Sequence, residues 1–124
     1  LPGVKHALDF LKENKIKIGL GSASKNAQIL LEKLEITSYF ETVVDGNSVQ
    51  NGKPHPEVFL KGSQLLGVDP EYCVVFEDSQ AGIHAAQAGG MTAIALGEEK
   101  VFSDMDYCFP NFEALDSATL KTLF

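Results

Sequence analysis

The sequence predicts an α/β fold in which a parallel sheet is covered by helices on both faces, as in Rossmann-like three-layer proteins. Three short segments, 16–20, 72–76 and 92–96, are mostly apolar. Parallel strands that are buried on both faces have this near-continuous apolar character. The segments alternate with stretches of helical period, and the connections between them are short. This alternation indicates a parallel sheet with helices packed against it.

The first half of the chain contains two predicted helices and two predicted strands. Residues 3–14 have apolar side chains at helical spacing, namely Val4, Ala7, Leu8 and Leu11. A short buried strand follows at 16–20. Apolar residues at helical spacing predict a second helix over 25–35, and the segment 42–45 is predicted as a short strand.

The second half repeats the pattern. A helix is predicted over 56–66, because Pro56 suits a first helical turn and Gly67 suits a helix end. The remaining predicted elements are a strand at 72–76, a helix at 79–88 that ends at two glycines, a strand at 92–96 and a weaker helix at 112–123. No linker or repeat divides the chain, so residues 1–124 are expected to belong to one domain.

Composition restricts the class of protein. The formal net charge is −7, and an excess of negative charge repels phosphate backbones, so no nucleic-acid partner is expected. No apolar run approaches the roughly 18 residues that span a bilayer, so no membrane segment is expected. Cys73 and Cys108 lack the spacing of a metal or redox motif. They are interpreted as reduced structural thiols of a cytoplasmic protein.

Polar residues follow three of the predicted strands, at the edge where parallel sheets bind ligands. The first strand is followed by a run of small hydroxyl residues that includes Ser22 and Ser24. Lys53 lies after the second strand and before a Pro-X-Pro sequence, which stiffens the backbone. The third strand is followed by the adjacent carboxylates Glu77 and Asp78.

Each of these features has a plainer interpretation when it is taken alone. Ser24 can be only a helix N-cap, Lys53 only a solvated surface lysine, and the two carboxylates only an acidic helix N-terminus. Together they supply hydroxyl donors, a cation and carboxylates that can bind Mg²⁺. Those are the groups needed to hold a phosphoryl group and to neutralise its transition state.

The chain contains four motifs: "LPGV" at the start of a helix, "KIGLGSASKNA", "GKPHPEVFL" and the highly specific "VVFEDSQAGIHAAQAGGM". By these motifs the sequence resembles the haloacid-dehalogenase-like phosphohydrolase superfamily. The resemblance extends along almost the whole chain.

The resemblance implies a role for each residue of the predicted site. Ser22 would bind the transferring phosphoryl group, and Lys53 would bridge that group to a nucleophile. Glu77 and Asp78 would serve a Mg²⁺ site, Asp78 as a direct ligand and Glu77 through water. Further contacts to the phosphate of a bound sugar phosphate would come from Ser24, Lys25 and Asn26, and Ala23 belongs to the same phosphate-binding and substrate-binding set.

The "SASKN" stretch favours the branch of the superfamily that contains sugar phosphomutases, and sugar-phosphate phosphatases are the alternative. In either case the substrate is expected to be a small sugar phosphate. The full-length enzyme is expected to be a monomer.

One departure from the family pattern is important. The family's nucleophile is the first aspartate of an Asp-X-Asp motif on an N-terminal strand, and the only Asp-X-Asp here is Asp104-Met105-Asp106. The chain is therefore expected to be the C-terminal part of the catalytic core, without the nucleophile strand and the helical cap. That strand would lie between the strands at 16–20 and 72–76, which are then not expected to pair. These 124 residues alone are expected to be inactive.

Three other classes of protein fit the sequence less well. A response-regulator receiver has its acidic residues first and its lysine last, whereas the order here is Ser22, Lys53 and then Glu77-Asp78. A serine hydrolase requires Gly-X-Ser-X-Gly, and Ser22 has Leu20 and Ser24 at the glycine positions. A non-catalytic interaction module remains an alternative, although the retained hydroxyl, lysine and carboxylates argue against it.

Overall fold

The structure, a computed structural model, describes residues 3–124 and has the predicted α/β architecture. Leu1 and Pro2, which open the first quoted motif, lie outside the described residues. The helices are α1 (Val4–Glu13), α2 (Ala27–Lys33), α3 (Glu57–Leu66), α4 (Gln80–Ala88) and α5 (Ser117–Leu123). The strands are β1 (Gly19–Gly21), β2 (Thr42–Val44), β3 (Val74–Glu77), β4 (Thr92–Leu96) and β5 (Tyr107–Phe109).

The strands form two parallel sheets. In one sheet β1 pairs with β2, and Leu20 is opposite Val43. In the other sheet the order is β3-β4-β5, and Phe76 is opposite Ile94. Within residues 3–124, β1 and β3 belong to different sheets and share no hydrogen-bonded ladder. This agrees with the expectation that these two strands do not pair.

Helices cover both faces of the strands, as predicted. On one face, α1 packs against α5, and Leu8, Leu11 and Leu120 of these helices form a core together with Leu115, which precedes α5. On the other face, α3 packs on β1 and β2, and α4 packs on β3 and β4. Successive residues of β4 alternate between the two cores, because Ala95 faces the α4 side and Leu96 faces the α1 side.

Several element boundaries differ from the predicted ones. The first strand begins at Gly19, because Lys15 has a left-handed backbone and the Ile16 N–H still bonds to Leu11 O at 2.9 Å. Helix α2 begins at Ala27 and not at 25, since the preceding residues are folded into turns by serine side chains. Strand β3 extends to Glu77, which places this carboxylate on the strand itself.

Strand β5 was not predicted, because its pairing with β4 depends on a partner that is distant in the sequence. Asp106, just before β5, joins the segment to β4: its N–H donates to Ala93 O at 2.9 Å, and its carboxylate accepts the Ala93 N–H at 2.8 Å. The last helix begins at Ser117 and not at 112. The Asp116 carboxylate caps it by accepting the Thr119 N–H at 2.8 Å, and this bond lowers the pKa of Asp116.

No helix within residues 3–124 combines the length and the apolar character that crossing a bilayer requires. Cys73 and Cys108 are free and partly buried, and burial raises the pKa of each thiol. A thiol with a raised pKa is poorly nucleophilic, so the interpretation of these residues as structural thiols stands.

Candidate active site

Lys53 connects the carboxyl ends of the two sheets. Its Nζ lies 2.7 Å from Glu77 Oε2 at the end of β3 and 3.5 Å from Gly21 O at the end of β1. Ser22, directly after β1, lines one small cavity together with Lys53. The structure therefore brings together the hydroxyl segment, the lysine and the first carboxylate, which lie far apart in the sequence.

The surroundings of Lys53 exclude the interpretation of a solvated surface lysine. Only 17% of its side chain is exposed, and its ammonium lies 4.9 Å from the centroid of the Phe59 ring. A cation over an aromatic face is attracted by the ring quadrupole. Lys53 is thus held by a carboxylate, a carbonyl and an aromatic ring.

Glu77 is buried, and both of its carboxylate oxygens accept hydrogen bonds. Besides the bond from Lys53, its Oε1 accepts the Asp78 N–H at 3.1 Å and the Ser79 hydroxyl at 3.3 Å. A buried carboxylate is tolerated when it is paired with a cation and its oxygens accept hydrogen bonds. Within the described residues, the cation that pairs with Glu77 is the Lys53 ammonium. The divalent cation expected beside Glu77 and Asp78 stays a prediction.

Gly82, in the first turn of α4, makes room for the Glu77 side chain. A Cβ atom at position 82 would lie 1.9 Å from Glu77 Cγ and 2.2 Å from Oε2. The Ser79 hydroxyl caps the same turn by accepting the Gly82 N–H at 3.0 Å. The helix start and the carboxylate are therefore packed as one unit.

Gly82→Ala is expected to destabilise the full-length protein by about 2–3 kcal/mol, because the added methyl group displaces Glu77 and removes its charged hydrogen bond to Lys53. Gly62→Ala is the matched control, since Gly62 lies inside α3 with nothing within 4 Å of an added Cβ. That control is expected to stabilise by about 0.5–1 kcal/mol. Denaturant unfolding of both variants measures the difference. Equal effects would mean that the contact between positions 77 and 82 is unimportant.

Asp78 follows β3 and is exposed. Asp45 and Glu77, which also lie at strand ends, have side chains that accept hydrogen bonds from the protein. Within residues 3–124, no such hydrogen bond fixes the Asp78 carboxylate. No group of three or more His, Cys, Asp or Glu residues within 3–124 is arranged to hold a metal ion. If Asp78 binds Mg²⁺, as the resemblance implies, ligands other than a cluster of these residue types must complete the coordination.

The segment from Ser22 to Asn26 is folded by its own hydroxyl groups. Ser22 Oγ accepts the Ser24 N–H, and Ser24 Oγ accepts the Asn26 N–H, each at 3.1 Å. Such turns compete with helix formation. The interpretation of Ser24 as the N-cap of α2 is therefore wrong, because the cap residue is Asn26.

The end of β2 and the residues after it hold this hydroxyl segment through backbone hydrogen bonds. The Ser22 N–H donates to Val44 O at 2.8 Å, and the Gly46 N–H donates to Ser24 O at 3.1 Å. A Cβ at position 46 would lie 2.4 Å from Ala23 O, so the close approach of the two backbones requires glycine. Ala23, Ser24, Lys25 and Asn26 are all exposed, which leaves their polar groups accessible to a ligand.

Asp104 and Asp106, the only Asp-X-Asp in the chain, have other partners. Asp106 joins β5 to β4, and the Asp104 carboxylate lies 3.7 Å from His84 Nε2 on α4. These contacts agree with the interpretation that this motif is not the nucleophile motif of the resemblance.

Sequence reasoning missed three residues that shape the site: Gly46, Glu57 and Gly82. The two glycines act by having no side chain. Glu57 acts through the main chain of a neighbouring loop, as described below. For Glu57 and Gly82 the only sequence signal was their place inside the motifs on which the resemblance rests, and Gly46 lies outside those motifs.

A parallel α/β fold with polar side chains at the carboxyl ends of its strands defines the class of α/β enzyme domains that bind ligands at this edge. A model of the family described as haloacid dehalogenase-like hydrolase matches residues 1–96. The chain belongs to this family.

The similar proteins are a phosphomutase and phosphatases. Over 98 residues the chain is 42% identical to beta-phosphoglucomutase of Bacillus subtilis (strain 168). This match covers 79% of the present chain and 43% of the Bacillus subtilis protein. Over 94 residues the chain is 47% identical to the fructose-1-phosphate phosphatase YqaB of Escherichia coli (strain K12), covering 76% and 50% respectively. The crystal structure of beta-phosphoglucomutase from Clostridium difficile matches with a TM-score of 0.94 and 35% identity, covering 99% of this chain and 55% of that one. The chain thus spans about half the length of these relatives.

Proposed function

We propose that the full-length protein is a Mg²⁺-dependent phosphomutase that acts on a sugar phosphate through a phospho-aspartate. Beta-phosphoglucomutase activity, which converts beta-glucose 1-phosphate to glucose 6-phosphate, is the specific proposal. The observation that carries it is the position of Lys53, whose ammonium joins the carboxyl ends of β1 and β3 beside the exposed "SASKN" segment. The similarity to two proteins named beta-phosphoglucomutase supports the same activity.

Each residue of the site has a defined part in this proposal. Lys53 neutralises the charge that builds up between an anionic nucleophile and the phosphoryl group. The Ser22 hydroxyl and the backbone at Ala23 donate hydrogen bonds to the transferring group. Lys25 and Asn26, with Ser24, hold the phosphate of the sugar phosphate.

Mg²⁺ fits the chemistry of the exposed Asp78 carboxylate, because hard divalent cations prefer oxygen ligands. Asp78 would hold the ion, and Glu77, fixed by Lys53 and by α4, would contact it only through water. When it is bound, the ion supplies positive charge that stabilises the phosphoryl oxygens in the transition state. The nucleophilic aspartate would come from outside the described residues.

A sugar-phosphate phosphatase is the second candidate. It is favoured by the 47% identity to the fructose-1-phosphate phosphatase of E. coli. The two activities differ in whether a sugar hydroxyl or water reaches the phospho-aspartate. A non-catalytic interaction module is the least favoured alternative, because Lys53 and Glu77 keep a buried charged arrangement that a purely structural site does not require.

The deciding experiment uses the full-length protein with Mg²⁺ and beta-glucose 1-phosphate. A mutase forms glucose 6-phosphate without net release of inorganic phosphate, whereas a phosphatase releases phosphate in step with substrate loss. Turnover of neither kind, on this substrate or on a panel of sugar phosphates, would contradict the proposal. The 124 residues alone are proposed to be inactive in the same assay, since none of Ser22, Lys53, Glu77 and Asp78 is the nucleophile.

The remaining properties are part of the proposal. We place the protein in the cytoplasm and expect a monomer at full length. A net charge of −7 makes a nucleic-acid partner unfavourable.

A further inference from the structure

The loop that carries Lys53 is fastened by one carboxylate. Glu57 is the first residue of α3, and its side chain turns back toward the loop after β2. Its Oε2 accepts the Gln50 N–H at 2.9 Å, and its Oε1 accepts the Asn51 N–H at 3.0 Å. Oε1 also accepts the Asn51 side-chain amide at 3.2 Å. Two consecutive backbone donors thus converge on a single carboxylate.

The main chain of Glu57 closes the other side of the loop. Its N–H donates to His55 Nδ1 at 3.1 Å, and the His55 N–H donates to Gly52 O at 3.0 Å. Residues 50–57 therefore form a ring that is closed by hydrogen bonds from both the side chain and the backbone of Glu57. Lys53 lies in the middle of that ring.

The charge of Glu57 is well suited to this arrangement. Hydrogen bonds from the Gln50 and Asn51 backbones lower the pKa of this carboxyl from its ordinary value of 4.5, so it is ionised at neutral pH. A carboxylate in the first turn of a helix is also stabilised by the helix dipole. The bond from Glu57 thus persists at physiological pH, and it weakens only as the pH falls through that lowered value.

We propose that Glu57 is a positioning residue for the catalytic lysine. It acts through the backbone of residues 50–53 and holds the Lys53 ammonium between Gly21 O and Glu77. This inference rests on the proposed function for the role of Lys53. A displacement of about 1 Å at a reacting group can lower the rate about 10²-fold, so a loop anchor of this kind has a large effect on turnover.

A purely structural role is the alternative, in which Glu57 only stabilises the start of α3. Asp116 provides a matched control for this role. Its carboxylate also accepts a backbone N–H at a helix start, has a lowered pKa for that reason, and belongs to α5 on the opposite face. Asp116→Ala removes a helix cap without touching the Lys53 loop.

The test compares Glu57→Ala, Glu57→Gln and Asp116→Ala in the full-length protein. Steady-state kinetics give kcat and KM, and NMR gives the Lys53 Nζ signal and the exchange rates of the Gln50 and Asn51 amides. Glu57→Ala is expected to lower kcat about 10²-fold with a smaller change in KM, to shift the Lys53 signal and to speed exchange at both amides. Glu57→Gln keeps one acceptor oxygen, so each of these changes is expected to be smaller in this variant than in Glu57→Ala.

Two outcomes would overturn the inference. One is a Lys53 signal in Glu57→Ala that matches wild type. The other is a loss of kcat no greater than that caused by Asp116→Ala. The NMR measurements do not depend on turnover, so they decide the position of Lys53 even if the protein transfers no phosphoryl group. Where Glu57→Ala fails to fold, the same two readouts on Glu57→Gln decide the question.

Discussion

Lys53→Ala is expected to lower the turnover of the full-length enzyme by roughly 10²–10³-fold, the effect of removing one preorganised electrostatic group. The substitution removes the cation that lies 2.7 Å from Glu77 and over the Phe59 ring. It also leaves the buried Glu77 carboxylate without its partner, so the free energy of unfolding should fall as well. Steady-state kinetics and denaturant unfolding measure the two effects.

A double variant separates the loss of catalysis from the loss of stability. Lys53→Met with Glu77→Gln replaces the ion pair by uncharged groups of similar length, so most of the stability should return while turnover stays low. Lys53→Arg should also remain slow, because a planar guanidinium does not replace a compact ammonium between two fixed acceptors. Near-normal turnover in Lys53→Ala would show that the residue has no catalytic role.

Asp78→Asn is expected to reduce turnover by orders of magnitude and to raise the Mg²⁺ concentration needed for half-maximal rate. The substitution removes a charged oxygen ligand from a hard cation. The fold should be unaffected, because Asp78 is exposed. Activity measured against Mg²⁺ concentration, together with the unfolding midpoint, tests both statements.

Glu71→Gln is the control for Asp78→Asn, because Glu71 is an exposed acid just before the opposite end of β3. It should leave both the rate and the Mg²⁺ dependence unchanged. If Asp78→Asn has the same Mg²⁺ dependence as wild type, Asp78 is not a metal ligand.

The main features of the fold were predictable because buried parallel strands and amphipathic helices have distinct patterns. The segment 92–96 is an example: the predicted bounds and those of β4 are the same. Strand β5 was not predictable, since its pairing with β4 depends on Asp106, which bonds to the Ala93 backbone thirteen residues away. Local patterns contain no information about such a partner.

The site was predictable where side chains follow strands directly. Because parallel strands end at one edge of a sheet, Lys53 was predicted to lie near Glu77 and Ser22, and the structure places it there. The rule did not identify Lys53 as the cation that pairs directly with Glu77. The Mg²⁺ site expected at Glu77 and Asp78 stays a prediction. The rule also gave no role to Glu57, because that residue acts on the main chain of a loop whose shape the sequence does not reveal.

The contact between Glu77 and Gly82 has an evolutionary consequence. Since a Cβ at 82 would lie 1.9 Å from Glu77 Cγ, the two positions cannot change independently. Any residue larger than glycine at 82 displaces the Glu77 side chain from its present position, and that displacement disrupts the ion pair with Lys53. The order of substitutions is therefore constrained: a lineage that keeps the ion pair must keep glycine at 82, and one that first replaces the glycine has already displaced the carboxylate.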